Sequence, residues 1–399
     1  MSDLYELPNG WEWKKLSDIG KVSTGKTPPK KNKEFYENGT IRFVKPPNLQ
    51  NSNNVTETES DEFITEDGAK KSTLLPKNSL MVCCIGSLGK FALSTEDVIT
   101  NQQINSIVFN DEIINYKYGY YYGFMFEKLL NNVANEAVVK IVNKTIYSNL
   151  DIPLPPLSEQ QRIVSKLDLL FEKIDKSIAL HQKNMDEADA FMGSVLNDVF
   201  GELEEKYEKS QLGSIVKIIG GGTPSKKEKE YWDNGNIKWA TVGDMNVETI
   251  YDTELSITEK GLKESSSNIV PKEAIIIATR VGLGKVCYLN NDTAINQDLK
   301  GLLPLDDGLN IRFLFNFFKQ IDKYIISNGT GATVKGVKLD FVKSIEIPLP
   351  PLQIQQKVVN YLDEISENLE KVKQVQKEKM DSLKALKASI LDKAFRGEL

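Results

Sequence analysis

The chain has 399 residues, 40% of them hydrophobic and 27% charged, enough apolar material for two to four packed domains. Its formal net charge of −6 gives no overall basic field, and no stretch approaches the roughly 20 apolar residues that span a bilayer. A single histidine, His181, excludes most histidine-based catalysis, and Cys83, Cys84 and Cys287 form neither a disulfide framework nor a metal-ligand spacing, which fits a reducing cytosol.

In chain order, the N-terminus lacks the basic and apolar regions of a secretory signal. A G-x-T-P turn follows at Gly25-Lys26-Thr27-Pro28, with Lys30, Lys31 and Lys33 just after it. Asn38-Gly39 marks a turn before a short strand at Ile41 to Val44, and a second strand is predicted at Ser79 to Ile85. The aromatic-rich segment 116–131 reads as a helix. Its rings suit a core better than a base-stacking platform. IPLPPLSEQQ at 152–161 makes a stiff proline joint, after which Ser158 with Gln161 resembles a capping box. Ile163, Leu167, Leu170, Ile174, Ile178, Met185, Met192, Val195 and Val199 then recur mostly at spacings of three, four or seven. That pattern predicts a helix of about 42 residues, about 60 Å long at 1.5 Å per residue.

The rest of the chain repeats this order. Residues 16–43 align without gaps on 212–239, with thirteen of 28 positions identical. Gly221-Gly222-Thr223-Pro224 stands over the first G-x-T-P, and Lys226, Lys227 and Lys229 over the first lysines. Asn234-Gly235 again marks a turn. Strand and helix patterns recur at Ala274 to Thr279 and at 311–326. Leu88-Gly89-Lys90 matches Leu283-Gly284-Lys285, and Asn101-Gln102 matches Asn296-Gln297. IPLPPLQIQQ at 347–356 shares eight of ten residues with the first joint. A second helical stripe then runs through Val358, Leu362, Ile365, Leu369, Val372, Met380, Leu383, Ile390 and Ala394. Four matches in one order at a nearly constant offset identify a duplication, at a period far beyond that of solenoid repeats. The expected division is a globular domain at 1–151, a helical region at 152–205, a second globular domain at 206–346 and a second helical region at 347–399.

A long amphipathic helix cannot bury its seam alone. The economical solution is antiparallel pairing of the two helices, which returns the C-terminus to the first domain and gives a nearly circular, pseudo-two-fold molecule. Parallel pairing, or docking on a partner, is the alternative. His181 falls on the helix surface or seam. The acid excess is concentrated in 157–205, with five Lys or Arg against eleven Asp or Glu, and Asp186, Glu187 and Asp189 read as a solvated face.

Two globular domains, each opening with G-x-T-P and each followed by IPLPPL-x-x-QQ and a long helix, resemble the specificity subunit of a type I restriction–modification system. The likeness covers the whole chain. It implies an α+β fold of two target-recognition domains joined by paired helices, and a non-catalytic reader of double-stranded DNA. Each domain would read half of a split, asymmetric site, while the helices set the spacer and dock two methyltransferase subunits. S-adenosylmethionine, ATP and Mg²⁺ would belong to those subunits and to endonuclease/translocase subunits, with no cofactor or metal in this chain. The residues agree: there is no D/N-P-P-Y motif, and Gly86 to Phe91 is too short for a phosphate loop and lacks its hydroxyl. A scaffold whose globular domains bind protein or carbohydrate is the alternative. Salt-dependent DNA binding separates the two. A self-contained nuclease or methyltransferase would need turnover by the isolated chain.

Residues identical in both copies cannot by themselves distinguish two half-sites. They are framework or phosphate candidates: Lys30, Lys31, Lys33, Lys90, Lys226, Lys227, Lys229 and Lys285, with a solvated charge run as the bland alternative. The Asn-Gln pairs are more simply structural. Residues that differ are the base-reading candidates: Lys45 and Asn48 against Thr241 and Asp244, and Ile85 against Arg280. Arginine is the commonest guanine reader, and of the five arginines Arg280 is the first choice.

Overall fold

The computed structural model describes residues 5–51, 62–134, 139–331 and 333–399. The chain divides into two compact units, residues 1–180 with 379–399, and residues 181–378. Each long helix contributes one stretch to each unit. The first helix is Leu157–Lys206 and the second Leu352–Arg396.

In the first unit, strands Gly20–Thr24, Ile104–Phe109, Leu80–Cys83 and Phe91–Leu93 lie side by side as an antiparallel sheet. A second sheet places Ile41–Val44 between Phe63–Ile64 and the parallel strand Val98–Thr100. Glu12–Lys15 pairs with Asp151–Leu154 at the proline joint. The run at Leu80–Cys83 is buried on both faces. Leu80 and Val82 enter a core built with helices, while Met81 and Cys83 enter one shared with Val44 and Val98. A continuous apolar run, rather than an alternating one, is the sequence mark of such a doubly covered strand.

The second unit repeats the plan. Val216–Gly220, Leu299–Pro304, Ile275–Ala278, Val286–Leu289 and Thr249–Ile250 form one sheet, and Leu255–Ile257, Ile237–Ala240, Thr293–Ile295 and Asn268–Val270 another. Ile275 and Ile277 face the helical core, and Ile276 and Ala278 the opposite one.

The aromatic segments are core, as their pattern implies. Tyr118, Tyr121, Tyr122 and Phe126 are buried in the first unit, and Phe313, Phe317 and Phe318 in the second. Each is two helices rather than the single one predicted. Tyr116–Gly123 is followed by Phe126–Val133, and Ile311–Gln320 by Asp322–Ser327.

Each core also takes both long helices, in antiparallel order. In the first unit Ile163, Leu167 and Phe171 meet the same cluster as Leu391, Ala394 and Phe395, and Asp175 pairs with Lys387 at 2.7 Å. In the second, Val195, Leu196 and Phe200 share a cluster with Val359 and Leu362, and Asp189 pairs with Lys373 at 2.9 Å. His181 Nδ1 lies 2.5 Å from Gln376 Oε1, a seam contact. Asp186, Glu187 and Asp189 are exposed; Glu187 pairs with Lys183 and Asp186 accepts from Gln182, both one turn away on the surface of the same helix. Ile163, Leu167, Ile174 and Leu362 are buried, and Leu170, Ile178, Ile365, Leu369 and Leu383 half-buried. Val372 departs from the expected seam: it is 45% exposed, while its neighbour Lys373 turns inward to Asp189.

The joint does not use the expected capping box. The first long helix begins at Leu157, so Ser158 lies inside its first turn, and the Pro156 carbonyl accepts from the Glu159 and Gln160 amides. The buried side chain of Gln160 makes the clamp. It donates to the carbonyls of Ile113 and Pro155 and accepts from the Asn115 amide. Gln355 does the same with Gly308, Pro350 and Asn310.

Candidate nucleic-acid interface

The G-x-T-P turn is fixed by its own residues. A Cβ at Gly25 would stand 2.3 Å from the Asn101 carbonyl oxygen, and one at Gly221 2.1 Å from that of Asn296, so only glycine allows the turn to lie on the Asn-Gln segment. The threonine hydroxyl then donates to the following glutamine, Thr27 to Gln102 at 2.7 Å and Thr223 to Gln297. Asn101 and Asn296 each accept an amide two residues on, at 3.1 Å in both cases. The Asn-Gln pairs are therefore parts of this latch. In the Asn-Gly turns the left-handed residue is the asparagine, with φ of 57° at Asn38 and 58° at Asn234.

Lys30, Lys31, Lys33, Lys226, Lys227 and Lys229 follow the two turns on exposed backbone. Lys90 is exposed and lines a cleft with Asn51, Ser87, Glu127, Asn131 and Lys140. Its counterpart Lys285 donates to Asn246 Oδ1 at 2.7 Å.

Four of the five base-reading candidates are committed locally. Asn48 accepts the Lys45 amide at 2.8 Å, and Lys45 itself forms an ion pair with Glu62. Asp244 accepts from the amide and hydroxyl of Thr241 and from the Glu254 amide, while Thr241 accepts from Gly243. Asn48, Thr241 and Asp244 thus hold short turns, and the two copies close the same turn with different side chains.

Arg280 is different. Arg42 pairs with Glu96 at 2.9 Å, and the Arg312 guanidinium stacks 4.3 Å above the Tyr288 ring. The Arg280 side chain is 55% exposed, with Asp298 beside it at 3.6 Å. Lys300 lies in the same group, its amine donating to the carbonyls of Gln297 and Leu299, and burial pulls its pKa down. Asp298 and Lys300 escaped the sequence reading, although the offset of 195 sets them over Gln103 and Asn105 and marks both as differing.

Burial pushes the Cys84 and Cys287 thiols up to about 12, which makes them core groups and not nucleophiles. Among the described residues no cluster of His, Cys, Asp and Glu is arranged to hold a metal, and no helix is long and apolar enough to cross a membrane.

A duplicated pair of mixed α/β units, each carrying the same latch and the same glutamine clamp on paired helices, defines a tandem-domain protein of the DNA-specificity class. The chain belongs to the type I restriction modification DNA specificity domain family, matched at residues 8–187 and again at 204–379. Among its relatives, the MjaIX type I restriction enzyme specificity subunit of Methanocaldococcus jannaschii is 34% identical over 44% of this chain and 42% of its own length. The EcoR124I/EcoR124II specificity subunit of Escherichia coli is 29% identical over 54% of this chain and 56% of its own. The chain thus spans about half the length of these relatives in the matched regions. A putative type I specificity subunit of M. jannaschii, MjaX, matches at 26% identity over 96% of this chain and 93% of its own. Two solved structures share the fold at 22% identity. One is a chain from a study of assembly and conformational transition in the type I R-M system, with a TM-score of 0.75 and cover of 99% and 100%. The other is the HsdS subunit of Thermoanaerobacter tengcongensis, with a TM-score of 0.51 and cover of 100% and 99%.

Proposed function

We propose that this chain is the non-catalytic DNA-recognition subunit of a type I restriction–modification complex. Each unit reads one half of a split, asymmetric site on double-stranded DNA. The observation that carries this reading is the twofold match of one DNA-specificity family, once per unit, on a scaffold whose latch is the same in both copies and whose adjoining side chains differ. Common residues position the backbone, and differing residues distinguish bases.

The exposed lysines after each latch serve as phosphate contacts, and Arg280 as the base-reading group of the second unit. Two methyltransferase subunits and the endonuclease/translocase subunits are the protein partners, docked on the long helices. S-adenosylmethionine, ATP and Mg²⁺ are bound by those partners, and the complex works in the cytoplasm. With a net charge of −6 the chain alone binds DNA weakly, and the partners supply further phosphate contacts.

The test is long-read modification sequencing of DNA from cells expressing the methyltransferase subunit with and without this chain. A split adenine-methylated motif that depends on the chain is expected. A stable complex with a working methyltransferase that adds no motif would overturn the reader role and favour a scaffold whose globular domains bind another ligand.

A further inference from the structure

The two units part company beside their shared latch. In the second, Arg280, Asp298 and Lys300 form a charged set; in the first, Ile85, Gln103 and Asn105 occupy the aligned positions. The backbone of Asp298 is held on both sides. Its carbonyl accepts from the amide and hydroxyl of Thr279 and from the Arg280 amide, and its amide donates to Asn296. Its carboxylate lies 3.4 Å from the side-chain amides of both Asn296 and Gln297, and 3.6 Å from the Arg280 guanidinium. Gln297 is also the partner of Thr223. The path from the G-x-T-P turn to Arg280 thus runs Thr223, Gln297, Asp298, Arg280.

The backbone of Arg280 is held as well: it forms a β-bridge with Gly336. A held backbone and a carboxylate 3.6 Å from the guanidinium favour reading of a base edge. Guanine O6 and N7 accept two parallel N–H groups from a guanidinium, and a fork already aligned loses less freedom on binding. The Asp298 side chain is only 15% exposed against 55% for Arg280, so the guanidinium is the accessible member of the pair. In the first unit these positions are closed to such use. Ile85 is apolar, Gln103 accepts from Asn101 at 2.9 Å, and Asn105 accepts from Thr24 at 2.6 Å.

We propose that Asp298 is a positioning residue that aligns Arg280 to read a guanine in the half-site of the second unit, and that the Ile85–Gln103–Asn105 set withholds this contact in the first. The inference rests on the reading of the chain as a bipartite DNA-recognition subunit.

The experiment uses the full chain assembled with its methyltransferase subunits. Duplexes carry the split site with 7-deazaguanine, which lacks the N7 acceptor, at each guanine in turn. In the wild type, one guanine of the second half-site is expected to lose about tenfold or more in affinity. Asp298→Asn keeps the size and removes the charge. It is expected to shrink that penalty severalfold and to broaden base preference at the same pair, while first-half-site preference and salt dependence stay as in the wild type. Arg280→Lys keeps the ion pair but loses the fork, and is expected to remove the penalty. An Asp298→Asn protein with the wild-type penalty and preference would overturn the positioning role, as would a penalty confined to the first half-site. If Asp298→Asn fails to fold, Arg280→Lys decides: unchanged guanine discrimination in that variant overturns the proposal. A wild-type complex with no split-site preference overturns the underlying reading and the inference together.

Discussion

In the first unit, Thr27 bonds Gln102, Gln160 clamps the helix start, and Ile85, Gln103 and Asn105 sit beside the latch. In the second, Thr223 bonds Gln297 and Gln355 makes the same clamp, but Arg280, Asp298 and Lys300 sit there instead. The comparison separates two kinds of residue. Where the copies agree at the latch and the clamp, the side chains hold the fold. Where they differ beside the latch, the first unit ties its side chains into local bonds and the second presents an exposed arginine. Differences at the 45–48 and 241–244 turns are of a third kind, since both sets cap the same local geometry.

The comparison predicts equal effects in the two units for shared scaffold. The largest should come from the aromatic wedges that seat the long helices. Phe395 contacts Tyr118 and Tyr122 at ring distances of 5.2 and 5.0 Å, and Phe200 contacts Phe313 and Phe317 at 5.2 and 5.5 Å. Phe395→Ala and Phe200→Ala should each lower stability by about 3–5 kcal/mol. Amide hydrogen exchange would report lost protection in the first unit for Phe395→Ala and in the second for Phe200→Ala. A loss below about 1 kcal/mol in either would break the equivalence of the two cores.

A smaller paired effect is expected at the glutamine clamps. Gln160→Leu strands the carbonyls of Ile113 and Pro155 and the Asn115 amide, and Gln355→Leu strands those of Gly308, Pro350 and Asn310. Each change should cost about 1–3 kcal/mol, with exchange quickening first at the start of the affected long helix. A clamp that costs nothing in one unit would show that the two joints are held differently despite their shared sequence.

The duplication, the helix pairing and the core role of the aromatic segments were legible because each leaves a long-range or periodic mark. The roles of Gln160 and Gln355 were only half legible. Their repetition signalled importance, but a side chain bonding a loop 47 residues away leaves no local pattern. The local bonds of Asn48 and Asp244 were illegible for the converse reason: a side chain bonding its own turn looks, in sequence, like a free polar group. Asp298 and Lys300 could be aligned to Gln103 and Asn105, but only the fold places them beside Arg280.

The smallest expected effect tests where periodicity fails. A spacing of three and four tracks one face of a helix, yet 3.6 residues per turn drifts against a seven-residue repeat. On the second long helix Val372 is 45% exposed, while the ammonium of the next residue, Lys373, pairs with both Asp189 and Glu370. Leu362, ten residues earlier, remains buried in the core of the second unit. Val372→Ala should therefore change stability by no more than about 0.5 kcal/mol. Leu362→Ala should cost about 2–5 kcal/mol in the same denaturant titration. Comparable losses would return Val372 to the seam that its spacing implies. A large gap would place Val372 outside the seam, at a turn where Lys373 faces Asp189 of the first long helix.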